Sequence, residues 1–266
     1  MANLNDITTF LDELLNLKIF SSDNSNNGLQ IQGKDEISKI VFGVDISQLL
    51  IDKAIESETD MIFVHHGISW GDNLKHITNN NYRRVSSLIK NDISLYAAHL
   101  PLDAHPEVGH NAVIATMLNL HNVCGAFNYY GVNIGCTGNV EEPVSAEELA
   151  FNVENSLNLL IKEYTGEHTP DKAPYILDSG REIRSVGIVS GGGGYAALSD
   201  AINMNLDCLV TGEFNHSMYL YAKESGISVI AAGHYKTEIP GVIAIMNLLD
   251  ERFNVGTKFV NLPTGL

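Results

Sequence analysis

Hydrophobic positions along the chain follow a helical period in some stretches and form short continuous runs in others. Apolar residues three and four positions apart predict a helix over residues 7–17, with Asn5 or Asp6 as its N-cap. Ser145 and Glu148 form a capping box, which predicts the start of a second helix. The buried stripe predicted for that helix consists of Leu149, Val153, Leu157 and Leu160.

The two halves of the chain share one order of predicted elements. Short apolar runs predict strands at residues 40–44, 60–66 and 93–99 in the first half, and at 185–189, 207–213 and 227–234 in the second. Helical stretches are predicted between them, at residues 49–57, 84–90, 195–204 and 218–224. The segment Ile-Ser-x-x-Ala-Ala recurs in the third strand of each half. Two β-α-β-α-β units predict an α/β protein in which helices cover largely parallel strands.

The repeat predicts two similar α/β lobes, each with helices packed on a mostly parallel or mixed sheet. The first lobe is predicted over residues 1–125 and the second over residues 126–266, and the C-terminal segment can return to the first lobe. The stretch 124–138, which contains glycine and asparagine, is the predicted crossing between the lobes.

Acidic residues outnumber basic ones by 32 to 16, so the formal net charge is −16. This balance disfavours direct binding to nucleic acid, which needs Lys and Arg along the phosphates, and it disfavours adhesion to anionic membranes. No apolar run approaches the roughly 20 residues that cross a bilayer, and the first residues lack the pattern of a signal peptide. The 3 cysteines lie far apart and provide no disulfide framework. A cytoplasmic protein is expected.

Residues with metal-ligand chemistry follow four of the predicted strands. They are His65, His66, His99, Asp103, His105, Glu213, His234 and Glu238. Open α/β folds bind their ligands at these carboxyl ends of strands. Because neighbouring side chains on a strand point in different directions, His65 and His66 are expected to serve two adjacent ions rather than one. Two cations about 3.5–4 Å apart need a bridging anion between them, and Glu238 is the candidate.

Prolines shape the predicted surroundings of two carboxylates. Pro101 and Pro106 predict a rigid loop that presents Asp103. Pro240 fits the first turn of a helix. Glu238 is therefore expected beside the positive end of that helix, which favours the ionised carboxylate.

Each of these residues also has a structural interpretation. The histidine pair could be hydrogen-bonded within the core, Asp103 could be a turn residue, and Glu213 could cap a helix or form an ion pair. His99 and His105 could be structural rather than ligands. The spacing of His234 and Glu238 is a weak signal by itself. The conjunction of all of them at strand ends favours a metal site.

The glycine loop of residues 190–194 follows a predicted strand and precedes a predicted helix. This arrangement is typical of a phosphate cradle, and it matches a loose dinucleotide fingerprint with Glu213 about 20 residues further on. A tight turn explains the same glycines, and both interpretations stay open. The sequence contains neither a P-loop motif nor the GxSxG motif of esterases.

Five motifs, taken in order, resemble those of one family. They are Asn27-Gly28-Leu29-Gln30, His65-His66-Gly67 followed by Trp70, His99-Leu100-Pro101-Leu102-Asp103-Ala104-His105-Pro106, Ser190-Gly191-Gly192, and Gly233-His234 followed by Thr237-Glu238. The chain resembles a short bacterial member of the Nif-three-like family, often labelled GTP cyclohydrolase 1 type 2 homolog. The resemblance covers nearly the whole chain, without the large insertion of longer members. Tyr235 and Lys236 are less typical of the family.

The resemblance implies two similar α/β lobes with a dinuclear site for divalent metal ions in the cleft between them. It implies that His66, Asp103 and Glu238 hold one ion, whereas His65, His234 and the bridging Glu238 hold the other. Mixed imidazole and carboxylate ligands suit Zn, Mn or Fe about equally. The resemblance also implies a toroidal homohexamer whose metal sites face an interior cavity.

For function, the resemblance implies metal-assisted hydrolysis of GTP cyclohydrolase-like type, with a nucleotide or another phosphate-containing small molecule as substrate. Glu238, Glu213 and His99 are the expected catalytic residues, and Glu213, His99 or His105 would transfer protons. Two alternatives stay open. One is a non-catalytic metal-binding scaffold or regulatory protein, which the family's name favours because it comes from a protein partner. The other is dinucleotide-dependent redox chemistry at the glycine loop.

Overall fold

The computed structural model describes residues 1–166 and 173–265. Over these residues the strands are β1 (Ala2–Asn3), β2 (Gly28–Ile31), β3 (Glu36–Ile37), β4 (Lys39–Asp45), β5 (Met61–His66), β6 (Ser94–Ala97), β7 (His121–Tyr129), β8 (Val132–Val144), β9 (Tyr175–Leu177), β10 (Ile183–Val189), β11 (Cys208–Thr211), β12 (Ser228–Ala231) and β13 (Gly256–Phe259). The helices are α1 (Leu4–Leu14), α2 (Gln48–Glu56), α3 (Asn79–Lys90), α4 (Leu100–Ala104), α5 (His110–Met117), α6 (Ala146–Thr165), α7 (Gly194–Asn203), α8 (His216–Ser225), α9 (His234–Thr237) and α10 (Ile239–Phe253), and a 3₁₀ helix covers Leu17–Ile19. Within the described chain, no helix combines the length and apolar character needed to span a bilayer.

The described residues divide into two compact units. Unit 1 comprises Met1–Leu102 and Val242–Leu262. Unit 2 comprises Asp103–Gly241 and the described residues that follow Leu262. The prediction of an α/β fold with helices packed on mixed sheets is confirmed. The division into lobes 1–125 and 126–266 stays a prediction.

Unit 1 is built on a sheet with the strand order β13-β4-β5-β6-β2. The first four strands are parallel, and β2 is antiparallel to β6. Val41, Ile62 and Leu95 come from three neighbouring strands and are completely buried against Leu50 of α2 and Leu88 of α3. Each such side chain contributes about 1.5–3 kcal/mol when it is fully buried. This core holds the carboxyl ends of β4, β5 and β6 side by side.

Unit 2 is built on a sheet with the strand order β7-β8-β10-β11-β12-β9. β10, β11 and β12 are parallel, whereas β8 and β9 flank them as antiparallel strands. Alternate residues of β11 join two apolar clusters, because side chains alternate across a strand. Val210 packs with Leu157 of α6, and Leu209 packs with Leu198 of α7 and Met218 of α8. Helices therefore cover both faces of the central strands.

The predicted repeat is present in the two units. The strands predicted at 40–44, 60–66 and 93–99 correspond to β4, β5 and β6, and those at 185–189, 207–213 and 227–234 correspond to β10, β11 and β12. The helices predicted between them correspond to α2, α3, α7 and α8. The strong apolar runs were therefore sufficient to predict the central elements of each unit.

Two helix predictions need correction at their ends. The N-cap of α1 is Asn3 rather than Asn5 or Asp6, and its side-chain oxygen accepts a hydrogen bond from the N–H of Asn5 over 2.9 Å. The helix starts earlier than predicted because Leu4 is also buried. For α6 the predicted cap is confirmed, since the Ser145 hydroxyl accepts from the N–H of Glu148. Its buried stripe ends on Ile161, because Leu160 is only half-buried.

The prediction that residues 124–138 cross between lobes is wrong. This stretch belongs to unit 2, where β7 and β8 pair as an antiparallel hairpin. Tyr130 and Gly131 form its turn with φ angles of 47° and 90°. Positive φ at both central positions matches the right-handed twist of the strands, and glycine adopts it without strain. The glycine and asparagine content of the stretch therefore marks a hairpin rather than a linker.

Candidate metal centre

The histidines of unit 1 lie at the ends of two adjacent parallel strands. His65 and His66 are the last residues of β5, and His99 follows β6 by two positions. Val64 of β5 pairs with Ala97 of β6, so both strands end at the same edge of the sheet. Sheet pairing therefore brings together residues that are more than thirty positions apart.

The three imidazole rings converge. Ring centroids lie 4.5 Å apart for His65 and His66, 5.1 Å for His65 and His99, and 5.5 Å for His66 and His99. One ligand nitrogen from each ring lies within 4.8 Å of the others. The expected alternation is visible in burial, since His65 is completely buried and His66 is half-buried. Although the two side chains differ in burial, the rings of His65 and His66 still lie next to each other.

Each of these rings is anchored through its Nδ1 atom. His65 Nδ1 lies 2.9 Å from the Ala98 carbonyl oxygen, and His66 Nδ1 lies 2.8 Å from Asp45 Oδ1. His99 Nδ1 lies 2.9 Å from Asp23 Oδ1. Because a carbonyl or carboxylate oxygen accepts, Nδ1 carries the proton, and in a neutral ring Nε2 carries the lone pair. This is the pattern by which proteins orient histidines as metal ligands.

Asp23 supports the cluster from a polar loop. Besides His99, its carboxylate accepts hydrogen bonds from the N–H groups of Ser25 and Leu100 and from the side chain of Asn27. Burial raises the pKa of Asp23, but the interactions with His99, Asn27 and Ser25 together outweigh burial, so this pKa lies below its usual 3.8. Sequence reasoning missed Asp23, and the only signal was its place in the loop that precedes the Asn27 motif.

Trp70 and Gly67 complete the unit 1 cluster. The Trp70 indole donates to the Gly67 carbonyl over 2.8 Å, and its ring centroid lies 5.0 Å from that of His99 and 5.9 Å from that of His66. A Cβ on Gly67 would lie 2.4 Å from Gln30 Oε1 and 2.5 Å from the Cβ of Ala97. Gln30 Oε1 also accepts from the N–H groups of residues 68 and 69. The Asn-Gly-Leu-Gln motif therefore holds the turn that follows the histidine pair.

In unit 2, His234 and Glu238 lie one helical turn apart. His234 begins the short helix α9, and His234 Nε2 lies 3.1 Å from Glu238 Oε1. On the other side of the ring, His234 Nδ1 lies 2.6 Å from Glu213 Oε1. The hydrogen bond with Glu238 raises the pKa of His234 to about 9, with a further contribution from Glu213 and opposition from burial. As predicted, Pro240 lies in the first turn of the helix that follows Glu238.

The glycine loop lies directly behind Glu238. Gly191 has a φ of 59°, and a Cβ there would lie 2.0 Å from Glu238 Oε1. The N–H of Gly191 donates to Thr237 Oγ1, and its carbonyl accepts from the N–H of Glu213. The N–H of Ser190 donates to Asn111. The N–H groups of Ser190 and Gly191 are therefore used within the protein, as in a tight turn.

Asp103 lies in the short helix α4, so the prediction of a rigid loop is wrong. Pro101 is compatible with this helix because the first turn needs no N–H donor. Asp103 Oδ1 accepts from the Ser190 hydroxyl over 2.9 Å, and the Asp103 carbonyl accepts from Asn111. His105 Nδ1 accepts from the N–H groups of residues 107 and 108. His105 thus stabilises the turn after α4, in agreement with its structural interpretation.

Comparison with known proteins decides the family. The family Duf34/NIF3 (NGG1p interacting factor 3) matches residues 2–264 of the chain. The chain belongs to the Duf34/NIF3 family. A relative from Pyrococcus horikoshii named GTP cyclohydrolase 1 type 2 homolog is 41% identical over 262 residues, covering 98% of each chain. A relative of the same name from Deinococcus radiodurans is 38% identical over 261 residues, covering 98% of this chain and 94% of that protein.

Solved Duf34/NIF3-like structures show the same fold over the whole chain. One, described as protein ybgI of unknown function, has a TM-score of 0.87 and 33% identity and covers 100% of both chains. Another, TTHA1606 from Thermus thermophilus, has a TM-score of 0.83 and 34% identity and covers 99% of this chain and 100% of that chain. The family resemblance inferred from the sequence is therefore confirmed.

The donors present fit divalent metal ions. Unit 1 provides three imidazoles whose Nε2 atoms are oriented by contacts at Nδ1, and unit 2 provides His234 beside a buried carboxylate. Imidazole and carboxylate together suit Zn, Mn or Fe. These groups could hold a metal ion.

Proposed function

We propose that this Duf34/NIF3 protein is a hydrolase that depends on two divalent metal ions and acts on a nucleotide or another phosphate-containing small molecule. The observation that carries the proposal is the convergence of His65, His66 and His99, each anchored at Nδ1. The relatives named GTP cyclohydrolase 1 type 2 homolog support hydrolysis of a nucleotide-like substrate.

In this proposal the ligand set follows the family motifs. His66, Asp103 and Glu238 would hold one ion, and His65, His234 and Glu238 would hold the other. When bound, a pair of divalent ions supplies Lewis acidity and lowers the pKa of a coordinated water to near neutrality. The metal is Zn, Mn or Fe, since the donor types suit all three.

The protein's own residues position the donors and handle protons. Ser190 fixes the Asp103 carboxylate through its hydroxyl, and Gly191 leaves space for Glu238. We further propose that His99 and the exposed Glu213 exchange protons with substrate and solvent, with Glu238 as the third catalytic residue. Glu213 is suited to this role because it faces solvent while it contacts His234.

A second candidate function is a non-catalytic metal-binding scaffold or regulatory protein, assembled as a homohexamer. The description of the family as NGG1p interacting factor 3 favours it, because that name denotes a protein partner. Redox chemistry with a dinucleotide has less support, because the N–H groups of Ser190 and Gly191 donate within the protein.

Metal binding and turnover can be separated experimentally. Trp70 is the single tryptophan, and its ring lies close to His66 and His99, so its fluorescence should be quenched when Co²⁺ is titrated into metal-free protein. His66→Ala should weaken this response and abolish hydrolysis of GTP by the metal-loaded protein, with unchanged circular dichroism. His76→Ala is the matched control, because His76 is an exposed histidine of the same unit. Metal binding without turnover across a nucleotide panel would favour the scaffold, and absence of metal binding would contradict both candidates.

A further inference from the structure

A cavity of about 450 Å³ lies in unit 2 beside Glu213. We call it the Tyr175 cavity after one of its lining residues, which also include Phe214, Tyr235 and Lys236. Small-molecule sites have volumes of roughly 300–1,000 Å³ and combine apolar walls with a few polar groups. Among the described residues its lining includes Glu213 but neither His234 nor Glu238. The cavity thus adjoins the proposed metal ligands in unit 2 without being formed by them.

One wall of the Tyr175 cavity is aromatic. The rings of Tyr175 and Phe214 are stacked, with centroids 5.6 Å apart and an angle of 21° between their planes. Tyr175 lies on β9, where it pairs with Ala231 of β12, so its backbone is held by the sheet. Its side chain remains 48% exposed. Aromatic faces of this kind stack on planar rings, and stacking of one base on an aromatic side chain raises its affinity by roughly a few-fold to a hundredfold.

One of the residues that line the Tyr175 cavity is a buried lysine. Lys236 lies in α9 and is only 3% exposed, the one lysine in the described part of the chain that is buried. Lysine is almost never fully buried, because its ammonium group is costly to remove from water. The chain as a whole carries a formal charge of −16. A buried lysine at a cavity wall therefore provides a local positive charge in an acidic protein.

We propose that the Tyr175 cavity binds a planar aromatic ring joined to an anionic group, as in a nucleoside monophosphate. The ring lies against the wall formed by Tyr175 and Phe214, and the anionic group faces Lys236. This inference rests on the proposed hydrolase function and specifies its substrate class. It also gives Lys236 a role in substrate specificity.

The test is nucleotide binding to the full-length protein in the presence of EDTA, so that phosphate cannot bind to metal ions. The fluorescent nucleotide mant-GMP is the probe, and GMP and guanosine compete for it. Lys236→Met should weaken binding of GMP at least tenfold but that of guanosine less than twofold, whereas Lys236→Arg should retain most of the affinity for GMP. Lys223→Met, which removes an exposed lysine of the same unit, is the charge-matched control and should bind like the wild type.

The aromatic wall is tested by a second pair of variants. Tyr175→Leu should weaken GMP and guanosine equally, by at least fivefold, and Tyr175→Phe should leave both unchanged. This exposed position keeps the test valid if Lys236→Met fails to fold, which circular dichroism would reveal. The inference is overturned if wild-type protein binds GMP no more tightly than guanosine, or if the Tyr175 pair shows no difference.

Parallel assays of the metal-loaded protein distinguish this inference from the proposed function. The metal-loaded protein could turn over GTP while its binding of GMP does not depend on Lys236 or Tyr175. That result would overturn the cavity assignment and leave the hydrolase proposal intact. Binding that depends on these residues, without turnover of any nucleotide, would support the cavity as a ligand site and overturn the hydrolase proposal.

Discussion

The two units share one arrangement of strands and helices, and they differ in the residues at the carboxyl ends of their strands. In unit 1, Met61 of β5 pairs with Ser94 of β6, and in unit 2, Cys208 of β11 pairs with Ser228 of β12. At the other end, the N–H of Ala98 donates to Val64, just as the N–H of Ala232 donates to Thr211. The second and third strands of the two β-α-β-α-β cores are therefore equivalent residue by residue.

This equivalence extends to a carboxylate at the start of the second strand. Asp60 accepts hydrogen bonds from the N–H groups of Ser38 and Lys39, and Asp207 accepts from those of Arg184 and Ser185. Each aspartate ties the beginning of one strand to its neighbour. The end of the sheet remote from the ligand-type residues is thus the same in both units.

At the carboxyl ends the units differ. By the same register, His65, His66 and His99 of unit 1 correspond in unit 2 to Gly212, Glu213 and Gly233. Unit 1 places its donors directly on the strand ends. Unit 2 has glycine at two of these three positions, and its donors His234 and Glu238 come from the short helix α9 and its C-cap. The same arrangement of strands can therefore present ligands either from the strand ends or from the helix that follows a strand. The second arrangement requires glycine at the strand end, where a side chain would occupy the space.

The largest expected effect concerns one of the glycines that unit 2 has where unit 1 has histidine. In Gly212→Ala, an added Cβ would lie 2.5 Å from the Gly191 carbonyl oxygen and 2.7 Å from the Cα of His234. Both contacts are with backbone, so the variant should lose about 3 kcal/mol in free energy of unfolding. Urea denaturation measures the loss. Gly192→Ala is the matched control, because its nearest contact would be an ordinary 3.6 Å, and equal losses in the two variants would contradict the prediction.

A smaller effect is expected from the carboxylates that orient the histidines. Asp45→Asn should weaken Co²⁺ binding, measured by Trp70 fluorescence, by about 10- to 100-fold, because the proposed ligand His66 loses a charged partner at Nδ1. Glu213→Gln removes the corresponding partner of His234. Its effect should lie near the lower limit, because the Glu213 side chain is more exposed than that of Asp45. A larger loss of Co²⁺ affinity for Glu213→Gln than for Asp45→Asn would contradict this expected order.

Much of the fold could be predicted from the sequence because the central strands are covered on both faces. Their apolar runs are continuous, and the residues that follow them have ligand chemistry. The spatial partners of these residues could not be predicted. Asp23 contacts His99 across 76 positions of the chain, and the space that Gly191 leaves for Glu238 depends on two loops that only the folded sheet brings together.

The smallest effects concern the equivalent aspartates Asp60 and Asp207. Burial raises the pKa of each, but hydrogen bonds outweigh it, from Lys34 and Ser38 for Asp60 and from Ser185 and Arg184 for Asp207, so both pKa values lie below 3.8. A carboxyl group with a lowered pKa in the folded state stabilises the fold above its unfolded pKa and loses this contribution as the pH falls through the folded value. At pH 7, Asp60→Asn should cost about 2 kcal/mol and Asp207→Asn about 1 kcal/mol, because Asp60 is more buried and also pairs with Lys34. Urea denaturation at decreasing pH should show each variant approaching the wild type below about pH 4, and a difference that stays undiminished through this acidic range would contradict the role of the ionised carboxylate.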